Sequence, residues 1–189
     1  MKYSINFRIW HWLNAFVVLG LLGTVFLRKT FLSWRTNSEI LMQKLMEMDI
    51  TVTTEQAKIL AKAVRAGMWE WHIILGIALA FLVLYRIFLF FKDTSIKTAF
   101  SELSLHKKVV KVSYFIFYGV LLFMTISGLV INFYEVLNIT KDKAHEIKEV
   151  HELMYNFFLV FVPIHIAGVL IAENRDEPGL ISSMINGKD

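Results

Sequence analysis

An all-α membrane protein, a bundle of four transmembrane helices with short amphipathic helices in one long loop, is the fold class that three features of this 189-residue sequence predict. Apolar residues make up 56% of the chain and charged residues only 19%, away from the balance of a soluble domain. Four apolar runs are long enough, at about 1.5 Å per residue, to cross roughly 30 Å of hydrocarbon. Only one connection between them is long, so residues 1–189 read as a single membrane domain without room for a second soluble one.

The first span covers about residues 9–27, its apolar run extending from Trp10 to Leu27. It ends in Arg28-Lys29 without a small-x-small cleavage pattern, which favours a permanent span over a signal peptide. The extramembrane loop 28–68 follows, and its patterning predicts two short helices. Ser38 is placed as the cap of the first, with Ile40, Leu41, Lys44, Leu45 and Met48 at helical spacing. Thr53-Thr54-Glu55-Gln56 reads as a capping box opening the second, whose stripe Ala57, Leu60, Ala61 and Val64 stops at Gly67 as a C′ residue. Such helices lie on the bundle or in contact with membrane lipid at the interface; a lid or docking surface is the alternative. The remaining spans are about 69–91, 110–133 and 152–172, with apolar runs Trp69 to Phe91, Val112 to Phe133 and Leu153 to Ala172.

Lysines and arginines divide ten against ten between the two sides, so their number does not orient the chain. The short, acid-poor connection between spans two and three tips the reading toward cytoplasmic termini. The net charge of +4 contains no block of five like charges, which argues against a nucleic-acid partner. With no cysteine there is no disulfide, thiolate zinc site, cysteine-held iron–sulfur cluster or covalently attached c-type haem. A metal in this chain must rest on histidine, carboxylate or an exogenous ligand.

Ionisable side chains inside spans are costly and mark function by default. Of six histidines, His106 and His145 fall in charged connections and read as solvated, whereas His11, His72, His151 and His165 lie within or at the edge of spans. His151 and His165 are 14 residues apart on span four, about 40° short of four full turns, so they share a face at depths about 21 Å apart. Because alternate spans run in opposite directions, depth pairs His11 with His165 and His72 with His151, whichever way the protein is inserted. Two histidine pairs on facing helices, with no carboxylate at matching depth, suit a planar macrocycle held by two axial imidazoles, and non-covalent haem b is what the missing cysteines allow. His145 is about 200° from His165 on the same helix and is placed outside the ligand set.

Small residues supply room for a porphyrin: Gly76 one turn from His72, Ala15 one turn from His11, and Gly168 three residues beyond His165. Their alternative role is close helix packing. Arg8 and Lys148 each precede a ligand candidate by three residues on the same face, which suits haem propionates or, alternatively, a snorkelling interfacial cation. Pro163 is expected to bend span four two residues before His165. Trp10, Trp12, Trp69 and Trp71 read as interfacial-belt residues without chemistry of their own.

On Arg8-x-x-His11-Trp12, Trp71-His72 with Gly76, and His151 with His165, the sequence resembles the bacterial cytochrome b561 family, related to the cytochrome b subunits of nickel–iron hydrogenases and formate dehydrogenases. The resemblance spans all four apolar runs. It implies two bis-histidine haems b in the core of the bundle, with His11 and His165 on one iron and His72 and His151 on the other, and a location in the bacterial inner membrane. It also implies electron transfer between quinone or quinol and a periplasmic or membrane redox partner. The long first loop departs from the compact family pattern. Within the same family, a superoxide oxidase passing electrons to quinone is the alternative, with Arg28, Lys29, Lys62, Arg65 and Lys148 as the cationic opening. A metal or proton transporter using the intramembrane histidines is a further alternative from a different class. His106, Lys107 and Lys108 are candidate quinone head-group contacts, or simply the basic cluster that topology requires.

Overall fold

The computed structural model describes residues 3–92 and 104–187; Lys2, Lys97 and Lys188, which enter the lysine and arginine count, lie outside the described residues. Among these residues the secondary structure is helical throughout, without strands: α1 (Ile5–Lys29), α2 (Trp34–Met46), α3 (Thr54–Val64), α4 (Ala66–Lys92), α5 (Leu105–Asn132), α6 (Lys141–Arg175) and α7 (Leu180–Ile185). Helices α1, α4, α5 and α6 are long and apolar enough to cross a membrane.

Each long helix starts ahead of its apolar run. The Ser104 hydroxyl accepts from the Lys107 amide (3.5 Å), and Thr140 accepts from Lys143 (3.4 Å), starting α5 and α6 in polar sequence ahead of the expected spans. The extra turns of α6 carry i,i+4 pairs, His145–Glu149 at 3.5 Å and Lys148–Glu152 at 3.7 Å, that suit a solvated helix face. Helix α6 continues through Pro163.

The chain divides into two compact units, Val17–Gly76 and the combination of Met1–Phe16 with Ile77–Asp189. In the first, α1 and α4 approach closely at Gly20, where an added Cβ would lie 3.0 Å from Leu75 Cδ1. Helices α2 and α3 are the two short helices expected in the loop, they pack together as a hairpin, and α3 opens with the full capping box between Thr53 and Gln56. Ala57 and Ala61 are completely buried, so small side chains let the two short helices come together. Ser33, not Ser38, occupies the N-cap of α2; Ser38 is buried inside the helix and donates to the carbonyl of Arg35 (2.8 Å). Gly67 does not terminate α3 either: the helix ends at Val64 with Arg65 as C-cap, and α4 starts at Ala66, taking Gly67 into its first turn.

In the second unit α5 and α6 run antiparallel. Phe117 stacks on Phe161 (centroids 4.6 Å) and meets Phe158 edge-on (5.9 Å), fixing the register of the two helices. Trp10 is buried and donates its indole N–H to the Leu82 carbonyl of α4 (2.8 Å). The short α7 is held at both ends. The two Glu173 carboxylate oxygens accept the amides of Gly179 (3.0 Å) and Ile181 (2.7 Å), while Arg8 donates to the carbonyls of Ile185 (2.6 Å) and Met184 (3.3 Å).

Because Ala61 is completely buried, Ala61→Leu is expected to overpack and destabilise the α2–α3 hairpin by about 1–3 kcal/mol. Amide hydrogen exchange across residues 34–64 should accelerate roughly tenfold while the four long helices keep their protection.

Candidate functional site

The four intramembrane histidines fall into two kinds of surroundings. At one end of the second unit His11 of α1 and His165 of α6 face each other with ring centroids 6.2 Å apart and planes at 55°. Aromatic rings hold both imidazoles. Phe161, one turn before His165, stacks parallel to it at 5.9 Å, and Tyr114 of α5 meets it edge-on at 6.1 Å. Trp12 lies edge-on to His11 at 5.4 Å and Phe7 lies against it at 6.5 Å.

His151 sits four turns from His165 on α6, at the opposite end of the α5–α6 pair. Its Nδ1 is 2.7 Å from the Ser127 hydroxyl of α5, and a Cβ on the adjacent Gly128 would lie 3.4 Å from its Cε1. In the other unit His72 of α4 has its Nδ1 2.7 Å from the Thr24 hydroxyl of α1 and lies edge-on to Trp69 at 5.4 Å. His72 and His151 belong to different units, so their expected pairing rests on the register of the spans alone.

The donor set at His11 and His165 fits a bis-imidazole metal site. Imidazole nitrogens bind first-row metals at about 2.0–2.1 Å, which puts the centroids of two rings on opposite sides of one metal roughly 6 Å apart. The observed spacing agrees with that requirement. No cysteine is available to attach a haem covalently, so the group that suits these ligands is a b-type haem.

A match to the family described as prokaryotic cytochrome b561 covers residues 2–187. The chain belongs to the prokaryotic cytochrome b561 family. Membership makes this cytochrome a multi-pass membrane protein that carries electrons with haem b. No curated protein and no solved structure matches it.

The other expected site residues of the cytochrome are placed as follows. The Arg8 guanidinium reaches the last carbonyls of α7, where the Trp12 indole also donates to Met184 (3.2 Å). Lys148 pairs with Glu152, and both are exposed. A Cβ on Gly76 would meet nothing within 4 Å, and the same holds at Gly168. His106 and His145 are exposed, but they lie in the first turns of α5 and α6 and not in connections, because both helices start ahead of their apolar runs.

Three residues escaped sequence reasoning. Arg86 lies inside α4 with its guanidinium over the rings of Phe7 (5.1 Å), Trp10 (5.4 Å) and Tyr118 (5.2 Å), and donates to the Tyr118 hydroxyl (3.3 Å). This aromatic cage offsets the cost of a cation at that depth. Asn14, one turn beyond His11, is buried with its amide oxygen lacking a hydrogen-bond partner, the kind of acceptor that ordered water or a ligand hydroxyl satisfies. Thr24 was legible only as a lone polar residue in an apolar run.

Gly187 has φ +71°, and a Cβ there would collide with the Arg8 guanidinium. Gly187→Ala and Arg8→Met are therefore each expected to loosen α7, by about 1 kcal/mol for the lost charge-assisted bonds. Hydrogen exchange at residues 180–187 should rise roughly fivefold in both variants.

Proposed function

We propose that this cytochrome carries electrons across the membrane between the quinone pool and a periplasmic or membrane redox partner, using two haems b. His11 and His165 hold one, and His72 and His151 the other. The observation that carries this reading is the 6.2 Å approach of His11 and His165. Bound haem b supplies one-electron iron chemistry; the chain supplies ligation, orientation and a dry surround. The stacked Phe161 and edge-on Tyr114 restrict rotation of His165, while Phe7 and Trp12 do the same for His11. The protein sits in the bacterial inner membrane with cytoplasmic termini, and the exposed apolar side chains Ile40, Met46, Ile59 and Val64 of the α2–α3 hairpin form part of its docking surface.

Arg65 favours a second reading, oxidation of superoxide with reduction of quinone. Partial burial, then the positive charge of Arg28, hold its pKa below the usual arginine range, so two cations stand together where an anion would be attracted. Two superoxide ions and two protons would convert one quinone to quinol with release of two dioxygen molecules. Quinone reduction by superoxide, slowed by Arg65→Gln and by added salt, would favour this reading over simple electron relay.

The primary reading predicts two b-type haems per chain in a reduced-minus-oxidised spectrum quantified as pyridine haemochrome. Alanine at His11 or His165 should remove one of them, and alanine at His72 or His151 the other. A haem-free protein made with ample haem supply, or four histidine variants with an unchanged haem complement, would sink it.

A further inference from the structure

The four expected spans hold carboxylates only at their boundaries, Glu70 and Glu152, and Glu152 pairs with Lys148, so hydroxyls, backbone carbonyls and packing are the means left to orient an imidazole deeper within them. Serine and threonine occur at four positions in the long helices: Thr24, Ser113, Thr125 and Ser127. Each donates to a carbonyl of its own helix one turn back: Thr24 to Leu21 (2.6 Å), Ser113 to Val110 (2.8 Å), Thr125 to Leu121 (2.9 Å) and Ser127 to Met124 (3.3 Å). Only Thr24 and Ser127 also bond an imidazole, and both meet Nδ1 at 2.7 Å.

A hydroxyl has one proton and two acceptor positions. With that proton directed to the carbonyl, the hydroxyl oxygen accepts, and the hydrogen shared with the ring belongs to Nδ1. The 2.6 Å contact of Thr24 with Leu21 makes this the stronger case, since two oxygens that close need a proton between them. Ser127 repeats the arrangement with a longer carbonyl contact. Neutral imidazole protonated on Nδ1 carries its lone pair on Nε2.

We propose that Thr24 and Ser127 are positioning residues that hold His72 and His151 in the Nδ1–H tautomer, so that each presents the Nε2 lone pair to a haem iron. The inference rests on the haem-ligand reading of these two histidines. His11 and His165, by contrast, have no hydroxyl bonded to either ring among the described residues and are set by aromatic packing. The two expected ligand pairs are therefore oriented by different means. An Nδ1–H that donates to oxygen makes the imidazole a stronger electron donor and favours ferric iron.

The test uses the purified full-length holoprotein with Thr24→Val, Ser127→Ala, Thr24→Ser and, as a control, Ser113→Ala. Redox titration should show an upward shift in midpoint potential for one haem only in Thr24→Val and Ser127→Ala, with haem affinity at that site about tenfold weaker. Thr24→Ser should restore both properties, and Ser113→Ala should leave both haems unchanged. If the first two variants keep wild-type potentials and haem retention while His72→Ala and His151→Ala lose a haem, the positioning role is overturned and the ligand assignment stands. A shift in Thr24→Val that Thr24→Ser does not rescue also overturns it. If His72→Ala and His151→Ala retain the full haem complement, the haem-ligand reading itself falls.

Discussion

Hydrocarbon offers nothing to hydrogen-bond a ring nitrogen, and this constraint organises the polar chemistry of the chain. A buried imidazole must direct its N–H to an acceptor or surround itself with rings that tolerate it. Both solutions occur on α6: His151 bonds the hydroxyl of Ser127, and His165 is stacked on Phe161 with Tyr114 at its edge. The choice follows from helix register. Because α5 and α6 are locked antiparallel by Phe117 against Phe158 and Phe161, Ser127 falls beside one histidine and Tyr114 beside the other.

Arg8 of α1 and the short helix α7 meet within one unit of the cytochrome. Helix α7 has only six residues and cannot stand alone, since so short a helix forms too few internal bonds to offset its nucleation cost. Glu173 satisfies amides at its start and Arg8 satisfies carbonyls at its finish, each charge complementing the helix dipole. Arg8 lies one turn before His11, and Trp12 immediately after it also donates to Met184. The first turns of α1 thus bind α7 with the residues flanking His11. An N-terminal arginine that reads in sequence as a propionate partner has its guanidinium engaged in this contact.

Apolar length and histidine spacing made the four long helices and the shared face of His151 and His165 legible in the sequence. Cap chemistry was equally readable where side chain and backbone cooperate, as at Thr53 and Gln56. It misled at Ser38, because the same hydroxyl can cap a helix or bond a carbonyl inside one, and the arrangement seen here belongs to a residue buried in the interior of α2. Gly67 misled for a related reason: glycine permits a C′ conformation without requiring it, and the next helix begins before the chain can turn. The bond from Thr24 to His72 joins residues 48 apart and depends on the rotation of α1 against α4, which no local pattern encodes.

Hydroxyls suit the second coordination sphere of an intramembrane ligand better than carboxylates would. In water-filled sites a carboxylate commonly accepts the second N–H of a ligating histidine, and its charge strengthens the bond. Inside a span that charge would have to be paired or protonated, and the expected spans offer few cations, Arg86 being one already enclosed by Phe7, Trp10 and Tyr118. A hydroxyl that spends its proton on its own helix carbonyl carries no net charge and leaves only an acceptor facing the ring. The Leu21 carbonyl, Thr24 hydroxyl and His72 Nδ1 are thus linked by hydrogen bonds that need no charged group. An imidazole held this way would keep one tautomer without a buried charge, so an apolar span is compatible with a directional ring nitrogen rather than opposed to it.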